Sequence, residues 1–216
     1  MNIGIIGAGN VGGSLGRRWA RGGHTVLFGV RNTMTDKVRE LLDSAGPNAR
    51  AECIEDLVRK VDVVVLAVPY STLRAVVSSL GPMRNAILVD ASNPIAPVMR
   101  LAVGHSTSGA EQLSNWLPGT PIVKAFNTTG YENLADADFG NERPTMFICG
   151  DDSKANGIVA VLANDLGFDP VITGPLIHAR YLEPMAMLWI DMAMKQGMGR
   201  DIAFRLIKKS SNEFVV

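Results

Sequence analysis

Between its first strand-like run and a helix-like one the chain reads Gly7-Ala8-Gly9-Asn10-Val11-Gly12, a G-x-G-x-x-G spacing suited to a pyrophosphate. Gly7 permits a tight turn, Gly9 lets the backbone approach the phosphates with no Cβ in the way, and Gly12 allows a helix to pack close to a strand. The free N–H groups and positive dipole end of that helix face the same anion. The end of the next apolar run reads Phe28-Gly29-Val30-Arg31-Asn32. A site for NAD places an acid there, on the ribose 2′-hydroxyl, and no acid is present. Arg31 offers a planar donor fork suited to a 2′-phosphate, Asn32 a second donor and Lys37 an outer charge. The expected dinucleotide is NADP(H).

These residues need a strand–turn–helix–strand frame. Ile3, Ile5 and Ile6 form a run short enough only for a buried strand. Ser14 to Gly22 reads as a helix with Leu15, Trp19 and Ala20 toward the sheet, and His24 to Val30 as the second strand. Thr35 to Ala45 is the next helix, stopped by Gly46-Pro47-Asn48. Asp62 to Val68 is a continuous β-branched run closed by Pro69, the pattern of a parallel strand buried on both faces. Its exit, Ala67-Val68-Pro69-Tyr70, falls on the edge where open α/β sheets bind ligands. After a helix from Ser71 to Leu80, the strand Ala86 to Asp90 leads Ala91-Ser92-Asn93-Pro94 to the same edge. A nicotinamide ring would lie there.

Val98 to Gly109 reads as a loop, Ala110 to Leu117 as a helix, and Pro121 to Thr128 as a strand and its exit. Pro144 to Gly150 and Asp169 to Thr173 are further strands around a helix from Ser153 to Leu166, with Asp151 or Asp152 as N-cap. From Leu176 the pattern is helical to about Lys209, broken at Gly197-Met198-Gly199. The expected fold is α/β, a Rossmann-type doubly wound, mainly parallel sheet over residues 1–174. A short helical C-terminal extension, residues 175–216, packs on it.

The chain has 216 residues, with 21 basic and 21 acidic side chains. Balanced charge leaves no electrostatic footprint for nucleic acid or a membrane surface. Cys53 and Cys149 lie too far apart in sequence for a metal-ligand pattern, and read as thiols of a reducing, cytoplasmic setting. The first strand starts at once, so no leader peptide is expected, and Asp191 interrupts the apolar stretch Met185 to Ile190, so no membrane span is expected. Met185, Leu188 and Met192 share a helical face, read as core or dimer packing. No metal site is expected.

A dehydrogenase acting on an alcohol or ketone needs a positioned acid/base. Tyr70, Lys124 and Asn127 are the candidates near the cofactor edge, and none forms a recognisable acid/base pair. Strand alternation would put Lys124 and Phe126 on one face and Asn127 on the other. Hydride transfer between two redox rings needs no protein acid, only rings held face to face. The absent pair therefore favours ring-to-ring transfer, with no catalytic side chain.

The ordered segments GAGNVGGSLGRRWARGGHTVLFGVRN, VVVLAVPY, IVKAFNTTG, MFICGDDSKA and GFDPVITGPLIHARYLEPMAMLWI cover nearly the whole chain. They resemble the NADPH-dependent reductase family typified by deazaflavin (coenzyme F-420):NADP oxidoreductase. They are also similar to the NADPH-binding domain of the STEAP metalloreductases. The resemblance implies a nicotinamide over Val68-Pro69 and Asn93-Pro94, and a second ring, FMN, FAD or coenzyme F-420, beside Ala125-Phe126-Asn127-Thr128. It also implies homodimers. Two departures stand out. Phe126-Asn127-Thr128 replaces the Leu-His-Thr of the archaeal deazaflavin enzymes and is closer to the STEAP-like branch, where the ring is a flavin. Ala8 and Val30 stand where the family often has hydroxyl residues that assist the 2′-phosphate. The expected activity is NADPH-dependent hydride transfer to a flavin or deazaflavin. A pyrroline-5-carboxylate or β-hydroxyacid dehydrogenase, which carries a longer all-helical C-terminal domain, a metal-ion reductase relaying through flavin, and a non-catalytic NADP(H) sensor are the alternatives.

Overall fold

A computed structural model describes residues 1–80, 83 and 86–209. The first half alternates β1 (Asn2–Ile6), α1 (Asn10–Arg21), β2 (Thr25–Val30), α2 (Asp36–Ala45), β3 (Ala49–Cys53), α3 (Ile54–Leu57), β4 (Val63–Leu66), α4 (Tyr70–Ser79) and β5 (Ile87–Asp90). Then come the short pair β6 (Ile95–Ala96) and β7 (Arg100–Leu101), α5 (Gly109–Trp116), β8 (Ile122–Lys124), α6 (Tyr131–Ala135), β9 (Thr145–Gly150), α7 (Ser153–Asp165), β10 (Asp169–Gly174) and α8 (Ala179–Met194). Among the described residues, eight strands form one sheet in the order β10-β9-β8-β5-β4-β1-β2-β3. All neighbours pair in parallel except β8 with β9. The fold is the doubly wound α/β type expected from the sequence.

The order reverses between β1 and β4: the chain winds outward from β1 through β2 to β3, and from β4 through β5 to β8 on the other side. The exits of β1 and β4 therefore diverge and open a crevice at the carboxyl edge of the sheet. Each β-branched run feeds two cores by alternation. Val63 and Val65 face α1 and α7, whereas Val64 and Leu66 face α4, α5 and α8.

Four local readings change in the structure. Helix α1 begins at Asn10, not Ser14, so Asn10, Val11 and Gly12 form its first turn. The stretch read as a loop from Val98 contains β7, which pairs antiparallel with β6. The helical pattern ends at Met194 instead of Lys209. Gly197 and Gly199 take φ values of 73° and 77°, and the irregular chain beyond is tied down by tertiary hydrogen bonds. The Thr145 amide donates to the Phe204 carbonyl at 2.8 Å, and Trp189 Nε1 donates to the Ile202 carbonyl at 2.7 Å. Helix α8 turns Ala179, Leu182, Glu183, Ala186, Trp189 and Ala193 inward. Met185 and Met192 are only half-buried and Leu188 is exposed, so the methionine face is not core. The sequence residues 210–216, read as the end of the extension, lie outside the described residues.

Candidate functional site

The turn from β1 to α1 is shaped by two glycines closed against protein and one open to the crevice. Gly7 has φ 109°, and a Cβ there would sit 2.3 Å from the Ala67 carbonyl oxygen. A Cβ on Gly12 would sit 1.9 Å from the Gly7 carbonyl oxygen, so only glycine lets α1 approach β1 this closely. A Cβ on Gly9 would meet nothing within 4 Å. Gly9 is the N-cap of α1, no side chain caps the helix, and its first turn holds no acid. This cradle fits a pyrophosphate: it offers N–H donors, the positive end of a helix dipole and the space that a side chain would have filled.

Two cavities flank the cradle and share Gly9, Val68 and Pro69. The smaller, ≈ 590 Å³, lies on the β2 side and is lined by Gly7, Ala8, Val30, Arg31, Asn32, Thr35, Lys37 and Thr72 among others, with no acidic residue. Asn32 Oδ1 accepts from the Met34 amide at 2.9 Å, which leaves its Nδ2 donors unspent among the described residues. Thr35 Oγ1 caps α2 by accepting from the Val38 amide at 3.3 Å. A phosphate on a ribose 2′-position fits this set of donors.

The larger cavity, ≈ 780 Å³, lies on the β5 side. Its walls include Asn10, Val11, Ala67, Val68, Pro69, Tyr70, Ser92 and Asn93, together with Ile95, Tyr131, Glu132 and Arg200. Tyr131, Glu132 and Arg200 were not anticipated. Arg200 lies 68 residues from Glu132 in sequence, and its Nε donates to the Glu132 carboxylate. Burial pushes the Glu132 carboxyl up, but the Arg200 hydrogen bond holds it below the ordinary value, and Glu132 in turn lifts Arg200. No local pattern announces that pairing.

Below this cavity sits a buried polar hub. Lys124 Nζ donates to Asp90 Oδ2 at 2.8 Å and to the Ser92 carbonyl at 2.6 Å, and lies 3.0 Å from Glu183 Oε1. Asp90 Oδ1 accepts from the Ser92 amide and hydroxyl, and Glu183 accepts from the Gly109 and Ala110 amides at the start of α5. Every donor and acceptor in the hub is matched. Desolvation pulls the Lys124 pKa down, but Asp90 and Glu183 outweigh it and hold it above an ordinary lysine. The ammonium is thus locked in its charged form and is poorly suited to proton exchange with a substrate. Tyr70 donates its hydroxyl to Gln112 Oε1 at 2.7 Å, and burial pushes its pKa up.

The segment after β8 differs from strand alternation. Phe126 has φ 61°, which turns its ring onto the α1 face, edge-on to Trp19 with centroids 5.5 Å apart. Lys124 and Phe126 therefore point to opposite faces, and Asn127 joins the Lys124 side, donating to Asn93 Oδ1 at 3.0 Å and the Leu182 carbonyl at 3.1 Å. Ala125, Phe126 and Asn127 are all buried and line neither cavity. Pro94 also stands behind the wall, its carbonyl accepting from the Ala102 amide that anchors the β6–β7 pair. Among the described residues no cluster of three or more His, Cys, Asp or Glu could hold a metal ion, and no helix is long and apolar enough to cross a membrane.

Comparison with known proteins agrees with this geometry. A family model described as NADP oxidoreductase, coenzyme F420-dependent, matches residues 2–94. Metalloreductase STEAP3 of Rattus norvegicus is 30% identical over 98% of this chain and 44% of its own length. Metalloreductase STEAP2 of Homo sapiens is 28% identical over 87% of this chain and 36% of its own. The chain thus spans less than half of either metalloreductase. Among solved structures, one from Arthrobacter sp. FB24 named for F420-dependent NADP reduction superposes with TM-score 0.87 at 25% identity, covering 96% of this chain and 100% of that one. A hypothetical protein from Sinorhizobium meliloti reaches TM-score 0.76 at 30% identity, covering 97% and 96%. The glycine cradle and the acid-free cationic cavity fit NADP(H), in keeping with the match of residues 2–94 to the model of coenzyme F420-dependent NADP oxidoreductases and with the superposition on the Arthrobacter structure.

Proposed function

We propose that the chain transfers hydride between NADP(H) and a flavin or deazaflavin ring of the coenzyme F420 type. The observation that carries this reading is the commitment of Lys124 to Asp90, Ser92 and Glu183, which leaves no available proton donor among the hub residues beneath the larger cavity. A carbonyl or imine substrate needs such a donor; two stacked rings do not.

In this reading the first turn of α1 and the backbone of Gly7, Ala8 and Gly9 hold the pyrophosphate, and Arg31, Asn32, Thr35 and Lys37 hold the 2′-phosphate. Val68 and Pro69 support one face of the nicotinamide, beside Ala67 and Tyr70. Asn93, fixed by Asn127, meets the polar edge of the ring, and Ala125-Phe126 set the turn that aims Asn127. The bound dinucleotide supplies the hydride. The remaining width of the larger cavity, between Pro69 and Tyr131, receives the second ring.

The test is oxidation of NADPH, run beside NADH, with FMN, FAD or a deazaflavin as acceptor. Turnover with NADPH and one of these rings is expected. Tight binding of NADPH with no oxidation by any ring acceptor would overturn the reading.

A further inference from the structure

At the wall of the larger cavity, Arg200 is held so that half of its guanidinium is unused. Its Nε donates to Glu132, and the group lies over Tyr131 and Trp189, with 5.1 and 5.7 Å from the guanidinium carbon to the ring centroids. Trp189 is itself anchored to the Ile202 carbonyl, and the Arg200 carbonyl accepts from Asn133 Nδ2 at 3.3 Å. The backbone and the guanidinium are therefore both held in place, while the two terminal nitrogens donate to no acceptor among the described residues. Arg200 is also the only cation among the described residues lining this cavity. A donor fork fixed by stacking and left unspent at a cleft wall is organised in advance for a planar, oxygen-bearing partner.

We propose that Arg200 binds the carbonyl-bearing edge of the acceptor ring and favours its reduced, negatively charged form. The proposal rests on the ring-to-ring reading above. Hydride transfer carries two electrons and one proton from the dihydronicotinamide to the acceptor ring and leaves NADP⁺. The negative charge gained by the ring spreads onto its carbonyl edge, until that edge takes a proton from water. A guanidinium fork at that edge interacts more strongly as the charge grows, which is the condition for accelerating the step and not merely tightening binding. The sequence of the C-terminal stretch thus supplies a residue specific to the acceptor, while the cradle at the other end of the chain serves the dinucleotide.

The experiment compares the full chain with Arg200→Gln and Arg200→Lys, using riboflavin, FMN and deazariboflavin as rings and NADPH as donor. Riboflavin has the ring of FMN without its phosphate tail. Ring binding is read apart from turnover, by fluorescence quenching for the oxidised form and anaerobic equilibrium dialysis for the reduced form. The wild-type chain is expected to hold the reduced ring more tightly than the oxidised one, and Arg200→Gln to lose that preference. Arg200→Gln is also expected to lower kcat/KM for riboflavin and FMN alike, by roughly ten- to a hundred-fold, with NADPH affinity unchanged. Arg200→Lys, which keeps the charge without the fork, recovers part of the loss and serves as the comparison if Arg200→Gln melts at a lower temperature. A loss confined to FMN would assign Arg200 to a phosphate tail, and a loss of NADPH affinity would assign it to the dinucleotide. Either result, or an unchanged preference for the reduced ring, overturns the proposal. A wild-type chain that oxidises NADPH with none of the three rings would bring down the ring-to-ring reading, and the role of Arg200 with it.

Discussion

Lys124 Nζ on β8 lies 3.0 Å from Glu183 Oε1 on α8, and the two side chains are 0% and 1% exposed. The pair ties the helix that follows the sheet to the strand beneath the larger cavity. It also connects two amides at the start of α5, through Glu183, to the β5 exit, through Asp90. Removing one partner leaves uncompensated charge in a dry site, which costs more than the pair contributes when intact. Lys124→Met is therefore expected to destabilise the chain by about 3–5 kcal/mol. A denaturant titration checks this; a variant as stable as the wild type would mean that water enters the hub.

Glycine positions at the cradle separate folding from binding. At Gly9 an added Cβ meets no protein atom, so Gly9→Ala is expected to keep the melting temperature and weaken NADPH binding by occupying phosphate space. At Gly12 the added atom would lie 1.9 Å from the Gly7 carbonyl oxygen, so Gly12→Ala is expected to lower stability by about 1–3 kcal/mol through a forced backbone shift. Thermal melts with and without NADPH distinguish the two. Equal loss of stability in both variants would contradict the assignment of Gly9 to the open side.

Arg31 stands in the acid-free cavity beside Asn32 and Lys37. Charge-assisted hydrogen bonds of this kind contribute about 1.5–3 kcal/mol. Arg31→Ala is expected to weaken NADPH binding by roughly ten- to a hundred-fold and leave NADH binding nearly unchanged. Cofactor fluorescence titrations with both dinucleotides measure the difference. A parallel loss for NADH would remove Arg31 from the 2′-phosphate.

Glu111 and Arg180 form a two-point pair, 2.9 Å from Nε to Oε2 and 2.6 Å from Nη2 to Oε1. Arg180, followed by lesser contributions from Ser108, holds the Glu111 carboxyl below its usual value of 4.5. A depressed folded-state pKa gives stability that is present above the unfolded value and lost as pH falls through the folded one. Stability is thus expected to decline below about pH 5, with a shallower decline in Glu111→Gln. Denaturation midpoints across that range test it, and an identical slope in the variant would show that Glu111 does not contribute.

The cradle was legible in the chain itself because its logic is local. The turn, the open glycine and the helix start occupy six consecutive residues, Gly7 to Gly12, and Arg31 follows at the next strand end. The strand exits at Val68-Pro69 and Asn93 were legible for the same reason, since apolar runs closed by proline mark the ligand edge of a parallel sheet. Three features were settled only by tertiary contacts. Phe126 adopts a left-handed backbone in which its amide donates to Met146 Sδ and its ring packs on Trp19, so alternation, which assumes extended backbone, assigned the wrong faces. Lys124 read as a candidate acid until Asp90 and Glu183, 34 residues before it and 59 after it by their numbers, came within reach in the folded chain. Arg200 reached the cavity because α8 ends at Met194, the chain turns at Gly197 and Gly199, and Asn133, Thr145 and Trp189 hold the residues that follow by hydrogen bonds. Sequence periodicity reports what a segment does with its neighbours, and these three positions are decided by partners that only folding brings close.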